Sequence, residues 1–78
     1  MIYTRYFISN SHIFGPNGYT GFFLSDNYIF GPSGYSRYYT QNGLIFGPNG
    51  YSGYMISNGY IFGPSENLPW MVTAQQTG

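Results

Sequence analysis

Few side chains in this chain of 78 residues could perform acid–base or nucleophilic chemistry. The charged residues are Arg5, Asp26, Arg37 and Glu66, and His12 is the only histidine. A nucleophilic serine needs a neighbouring base and a third group that orients that base, and no spacing in this chain predicts such a set. One histidine and two scattered carboxylates do not make a metal site either. We therefore expect no enzyme activity, no metal and no cofactor.

Aromatic side chains are the abundant feature of the sequence. Ten Tyr, seven Phe and one Trp make up 23% of the residues. Tyrosine combines a flat apolar face with a hydroxyl, and recognition surfaces use it heavily for that reason. Tyrosines beside turns are the best candidates for exposure to a ligand, together with the two arginines. The predicted ligand-binding residues are Tyr19, Tyr35, Tyr51, Arg5 and Arg37.

These aromatic residues belong to a strict repeat. The tetrapeptide Ile-Phe-Gly-Pro begins at Ile13, Ile29, Ile45 and Ile61, so four copies follow one another at a spacing of 16 residues. A fixed period of this kind is the signature of a repeat architecture. Each copy has a long arm rich in residues that favour strands (3–9, 19–25, 35–41 and 51–57) and a short arm (12–14, 28–30, 44–46 and 60–62). Gly or Pro interrupts every few residues, which excludes helix.

Two kinds of turn separate the arms. The first kind is Asn10-Ser11, Asp26-Asn27, Asn42-Gly43 and Asn58-Gly59, where a type I′ turn needs positive φ at both positions. The second kind is Gly-Pro-Asn/Ser-Gly, in which proline presets φ and the last glycine can take the left-handed conformation of a bulge. Its predicted structural residues are Pro16, Gly18, Pro32, Gly34, Pro48, Gly50 and Pro64. These turns predict an antiparallel meander of about eight strands.

The turn register predicts which side chains share a face of this sheet. A two-residue loop at Asn10-Ser11 pairs Ile8 with Ile13 and Phe7 with Phe14, and the same rule applies in the other copies. Both faces are then apolar, whereas an antiparallel sheet that is wet on one side alternates apolar with polar residues. We therefore predict an all-β fold of tandem hairpins that coils or closes, as a solenoid or a barrel. The alternative is a homodimer, in which the second apolar face packs against another copy of the chain.

The fourth copy departs from the repeat and predicts a cap. After Ser65 the sequence continues through Glu66 to Leu68-Pro69-Trp70-Met71, and terminal repeats are often atypical because they cap a stack. Pro69 cannot donate to a strand ladder, and Trp70 is large enough to cover an open end. We predict an edge-protecting cap at Pro69 and Trp70, one domain over residues 1–73 and a flexible tail over 74–78.

Two repeat positions alternate between two residue types. They are Arg5, Gly21, Arg37 and Gly53 at one position and Asn17, Ser33, Asn49 and Ser65 at the other. Duplication of a 32-residue unit would produce this alternation, and so would chance.

Charge and hydropathy limit the partners. The formal net charge is zero, so there is no basic face for a nucleic acid. The sequence shows no signal peptide and no apolar stretch of membrane-spanning length, so we expect a cytoplasmic protein with no membrane partner. With 5% charged residues, part of the aromatic area is expected to be covered, either inside the fold or by another copy of the chain.

In outline, the Tyr-rich hairpins are similar to the aromatic hairpin repeats of bacterial cell-wall-binding modules, in which neighbouring hairpins surround a choline or a sugar. The period is shorter here and no copy carries a tryptophan, so no residue role is carried over. Three hypotheses remain: a saccharide or small-ligand binder, a structural protein that forms a symmetric homo-oligomer, and an unfolded self-associating segment. Turn residues at fixed offsets disfavour the last. We predict a non-catalytic β-repeat binding module, with the homo-oligomer as the alternative.

Overall fold

The computed structural model describes residues 1–65 and 67–71. Consecutive strands pair antiparallel, and β1 also pairs with β8, so the sheet closes into a barrel. The strands are β1 (Ile2–Ser9), β2 (His12–Gly15), β3 (Gly18–Ser25), β4 (Tyr28–Gly31), β5 (Gly34–Gln41), β6 (Leu44–Gly47), β7 (Gly50–Ser57) and β8 (Tyr60–Gly63). The predicted all-β meander is confirmed, and it closes. Within the described residues, no helix is long and apolar enough to cross a membrane.

The register of each hairpin follows from its type I′ turn. Asn10 and Ser11 have φ angles of 51° and 67°, as this turn requires. The two-residue loop then places Ile8 opposite Ile13 and Phe7 opposite Phe14. The other three hairpins repeat this register. The predicted pairing is therefore confirmed in all four copies.

The Gly-Pro turns join one hairpin to the next. Gly15 pairs with Gly18 across the first of them. Gly18, Gly34 and Gly50 have φ angles of 107°, 114° and 109°, in a region where a side chain would be strained. This is the left-handed glycine that the sequence pattern predicts after proline.

Each long strand also contains a bulge that the sequence analysis did not predict. Tyr3 lies opposite Phe62 while Tyr6 lies opposite Ile61, so Thr4 and Arg5 are inserted on one side of the ladder. The Thr4 hydroxyl donates to the Ile61 carbonyl at 2.7 Å and accepts from the Tyr6 N–H at 3.2 Å. The hydroxyl therefore replaces a ladder hydrogen bond. The same bonds recur at Thr20, Ser36 and Ser52.

The core fills the inside of the barrel. Four isoleucines, one from each repeat, are 0% exposed: Ile13, Ile29, Ile45 and Ile61. One inward aromatic ring from each repeat lies against the glycine of the Ile-Phe-Gly-Pro motif. At Gly47, for example, an added Cβ would lie 2.6 Å from Cε2 of Tyr38, far inside van der Waals contact. The motif therefore needs glycine because a ring occupies the space of its side chain.

The C-terminal segment covers one end of the barrel. Leu68, Trp70 and Met71 are buried there, and the Trp70 ring lies 5.6 Å from the Phe22 ring and 6.0 Å from the Tyr38 ring, measured between centroids. The predicted cap is consistent with this packing, but it does not protect a strand edge, because the pairing of β1 with β8 closes the described sheet. This segment closes an end of the interior instead. The predicted tail, residues 74–78, and the last two residues of the predicted domain lie outside the described residues.

Candidate functional site

Two of the clefts formed by the described residues lie at the capped end of the barrel, each between a Gly-Pro turn and the C-terminal segment. The first, which we call the Tyr38 cleft, has a volume of about 210 Å³. Its lining residues are Tyr38, Gly47, Pro48, Asn49, Gly50, Tyr51, Ser52, Tyr54, Asn67 and Leu68. Side chains of two repeats and of the C-terminal segment therefore meet around one small space.

The second cleft, which we call the Phe22 cleft, is the counterpart of the first, one repeat earlier. Its volume is also about 210 Å³. It is lined by Phe22, Gly31, Pro32, Ser33, Gly34, Tyr35, Ser36 and Pro69. Seven of these residues occupy the repeat positions of Tyr38, Gly47, Pro48, Asn49, Gly50, Tyr51 and Ser52 in the Tyr38 cleft. The repeat therefore builds the same site twice, with a few substitutions.

The structure brings one predicted tyrosine to each cleft. Tyr51 lines the Tyr38 cleft and is 50% exposed, and Tyr35 lines the Phe22 cleft and is 45% exposed. Tyr19 is also exposed but lines neither cleft. Its ring packs against those of His12 and Phe14, at centroid distances of 5.3 and 5.6 Å.

The predicted arginines are exposed at the bulges and line neither cleft. Arg5 and Arg37 have positive φ angles of 75° and 74°. At the same repeat position, an added Cβ on Gly53 would lie 3.7 Å from Pro64. By repeat equivalence, Arg37 begins beside Pro48 and therefore at the margin of the Tyr38 cleft.

The tyrosine hydroxyls at this end of the barrel differ from repeat to repeat. The Tyr54 hydroxyl accepts from the Asn67 N–H at 2.9 Å and lies 3.1 Å from the Ser65 hydroxyl. The Tyr38 hydroxyl has no hydrogen-bond partner among residues 1–65 and 67–71. Phe22 has no hydroxyl at all. Among these three residues, Tyr54 therefore has a hydrogen-bonded hydroxyl, Tyr38 has one without a partner in the described residues, and Phe22 has none.

The outer face of the barrel carries a second aromatic surface, the outer belt. Rings on neighbouring strands stack pairwise, as in Phe7–Phe14, Phe23–Phe30 and Tyr39–Phe46, with centroids 5.5, 5.7 and 5.3 Å apart. Further ring contacts join these pairs around the barrel. In the fourth pair, Met55 faces Phe62, and Leu44 and Met55 interrupt the series of rings. The belt is apolar, and its largest side chains are partly exposed.

Ionisable groups do not assemble into a reactive site in the described part of the chain. The His12 ring contacts Tyr19 and Phe23, and its Nδ1 donates to the Asn10 carbonyl at 2.7 Å. Residues 1–65 and 67–71 contain no group of three His, Cys, Asp or Glu side chains that could hold a metal ion. What the clefts offer is a tyrosine ring face beside hydroxyl and amide groups, an arrangement suited to stacking and hydrogen bonding.

Sequence reasoning missed several cleft residues. It gave no role to the Tyr38 hydroxyl, and it did not identify Asn49 or Asn67 as lining residues. The repeat pattern carries a signal for the first two, since Tyr38 replaces Phe22 and Asn49 replaces Ser33 at equivalent positions. No such signal exists for Asn67, because the C-terminal segment lies outside the repeat.

Comparison with known proteins gave no relative: no family model, curated protein or solved structure matches this chain. Its function is therefore inferred from its own residues and distances.

Proposed function

We propose that this chain is a non-catalytic binding protein that takes a small saccharide-like ligand in its two aromatic clefts. The observation that carries this proposal is the repetition: two clefts of equal volume each place a half-exposed tyrosine beside a Gly-Pro turn and polar groups. A sugar ring has an apolar face that can lie on an aromatic ring and hydroxyls that can bond to nearby polar groups. Tyr51 and Tyr35 are the proposed stacking residues.

The size of the clefts favours a ligand of about one sugar ring. Each cleft has about 210 Å³, below the roughly 300–1,000 Å³ typical of pockets for drug-sized ligands. Such shallow sites predict weak binding, with a Kd on the order of 1 mM, or about −4 kcal/mol. Two sites on one protein would strengthen binding to a polymeric saccharide through avidity. Arg37, at the margin of the Tyr38 cleft, is placed to contact a longer ligand.

A titration monitored by NMR tests this proposal. The ¹⁵N-labelled protein is titrated with a panel of mono- and disaccharides. Backbone amides of residues 47–52 and 31–36 should shift in a saturable way. Tyr51→Ala and Tyr35→Ala should each remove the shifts of one cleft. The matched control is Tyr60→Ala, since Tyr60 is 48% exposed and follows the Asn58-Gly59 turn at the other end of the barrel. An equal loss in the control, or no shifts with any saccharide, would contradict the proposal.

The outer belt favours a second candidate function, self-assembly with another copy of this chain. Seven aromatic side chains are between 37% and 50% exposed there, which is about 600 Å² at roughly 200 Å² a ring. A typical monomer exposes at most about 300–600 Å² in its largest apolar patch. Among the charged residues that the structure describes, Asp26 lies in a turn and Arg5 and Arg37 lie at bulges, outside the stacked ring pairs of the belt. Light scattering over a dilution series tests this, and a monomer at every concentration would contradict it.

A further inference from the structure

Tyr38 and Tyr54 occupy the same position in consecutive repeats, but their hydroxyl groups differ in their hydrogen-bond partners. Tyr54 is met by the C-terminal segment of its own chain. The Asn67 N–H donates to the Tyr54 hydroxyl at 2.9 Å, and the Ser65 hydroxyl lies 3.1 Å from it. The Asn67 side-chain amide donates to the same Ser65 hydroxyl at 2.8 Å. The protein thus shows which groups suit this tyrosine: an amide N–H and a hydroxyl close to each other.

At Tyr38, the equivalent place is an open cleft. The Tyr38 ring lies against Gly47 as the Tyr54 ring lies against Gly63, and Tyr38 lines the same cleft as Pro48 and Asn49. At this point the C-terminal segment contributes Asn67 and Leu68 to the wall of the cleft. Among the described residues nothing supplies the N–H and the hydroxyl that Tyr54 receives. A half-buried phenol hydroxyl is therefore left available to a ligand.

We propose that the Tyr38 cleft selects a 2-acetamido sugar, that is, a sugar ring whose amide group stands next to hydroxyls. This inference rests on the saccharide binding proposed above and specifies the substrate class. The ligand's amide N–H donates to the Tyr38 hydroxyl as the Asn67 N–H does to that of Tyr54. A neighbouring sugar hydroxyl takes the place of the Ser65 hydroxyl. An amide and a hydroxyl on adjacent carbons of one ring meet both requirements within a cleft of about 210 Å³.

The Phe22 cleft provides the comparison within the same molecule. It has Phe22 in place of Tyr38 and Ser33 in place of Asn49, and its wall contains Pro69, which has no N–H. The stacking residue Tyr35 is present, so a sugar ring can still lie there. Without the phenol hydroxyl, this cleft should not distinguish an acetamido sugar from a plain one. The two clefts also differ at Asn49 and Ser33 and in their walls, and of these differences the proposal assigns the specificity to the Tyr38 oxygen.

The test is a reciprocal exchange of that oxygen. N-acetylglucosamine and glucose are titrated separately against the wild type, Tyr38→Phe and Phe22→Tyr, with the amides of residues 47–52 and 31–36 as separate reporters. In the wild type, residues 47–52 should respond to N-acetylglucosamine with an affinity about fivefold tighter than to glucose, the factor that one net hydrogen bond of about 1 kcal/mol gives. Tyr38→Phe should remove this preference, because neither sugar then has a phenol hydroxyl to bond. Phe22→Tyr should create a preference at residues 31–36.

Each alternative outcome overturns a defined part of the argument. If both sugars bind the wild-type Tyr38 cleft equally, the amide selectivity is wrong while the saccharide function stands. A peptide with blocked termini and the sequence of residues 65–68, Ser-Glu-Asn-Leu, is a further probe. If neither sugar binds but this peptide shifts the amide signals of residues 47–52, the site binds a peptide and both proposals fail. If neither the sugars nor the peptide shift either reporter, both proposals also fail. The wild-type and Tyr38→Phe spectra without ligand should superimpose outside the cleft, which separates lost recognition from lost folding.

Discussion

The inner and outer faces of the barrel arise from the same four repeats, yet two adjacent positions of the repeat, one on each face, vary very differently. The inner face uses isoleucine at one position in every copy, always with 0% exposure: Ile13, Ile29, Ile45 and Ile61. The neighbouring position on the outer face varies freely, as His12, Tyr28, Leu44 and Tyr60. A closed interior must be filled to high density, and at this position all four copies fill it with the same side chain. The restriction belongs to the position and not to the whole face, since the outer face also keeps Phe14, Phe30, Phe46 and Phe62 in every copy.

The largest expected effect on stability is a difference between two adjacent residues of β6, Ile45 and Leu44, whose side chains lie on opposite faces of the sheet. Ile45→Ala removes a side chain that is 0% exposed, and we expect a loss of about 3–4 kcal/mol in the free energy of unfolding, because a cavity remains. Leu44→Ala, on the outer face, should cost about 1 kcal/mol, since the site is partly wet. Urea unfolding of both variants measures the difference. Equal losses would show that the inner face is not under stronger packing constraint.

The contact between ring and glycine gives the next effect. Gly47→Ala places a methyl group 2.6 Å from Cε2 of Tyr38, and we expect a loss of about 2 kcal/mol from overpacking. In a Tyr38→Ala background the same change should cost less than 1 kcal/mol, because the ring is gone. Chemical denaturation of the four proteins completes this double-mutant cycle. An unchanged cost without the ring would disprove steric conflict as the cause.

A smaller effect is expected at the bulge. Thr4→Val keeps the shape but leaves the buried Ile61 carbonyl without the 2.7 Å hydrogen bond from Thr4, at a cost of about 1–2 kcal/mol. Thr4→Ser retains the hydroxyl, as Ser36 and Ser52 do in later repeats, and should cost no more than about half as much. Thermal unfolding compares the two. If valine is tolerated as well as serine, the hydroxyl does not stabilise the bulge.

The outer belt should give the smallest effect. Tyr28 is half exposed and contacts the rings of Tyr35 and Tyr39 at centroid distances of 5.7 and 6.4 Å. Tyr28→Ser should reduce stability by about 0.5–1 kcal/mol, the usual size of a cross-strand pair. Urea unfolding at low protein concentration measures this without contribution from self-association. A loss as large as that of Ile45→Ala would place the outer rings in the stabilising core.

The parts of this fold that follow from local sequence were predictable, and the parts that depend on distant contacts were not. Asn10-Ser11 and its equivalents determine the hairpin register, because a two-residue I′ turn allows only one pairing. The bulge at Thr4 and Arg5 depends on a carbonyl of the neighbouring hairpin, which the turns do not reveal. Closure of the sheet into a barrel was one of several ways in which a sheet with two apolar faces could bury them. To predict the Tyr38 cleft, the path of the chain at Asn67 and Leu68 had to be known, and that path depends on how Trp70 packs inside the barrel.

The join between β1 and β8 repeats the geometry of the other joins between hairpins, but its two strands are far apart in the chain. The hydrogen bond from Thr4 to the Ile61 carbonyl spans 57 residues, whereas the equivalent bond from Thr20 to the Ile13 carbonyl spans 7. Loop-closure entropy grows as (3/2)RT ln n, so forming the β1–β8 join costs about 2 kcal/mol more for the same contacts. The joins are therefore alike in their contacts but unequal in the entropic cost of closing them, and we expect the β1–β8 join to form later in folding than the joins between consecutive hairpins.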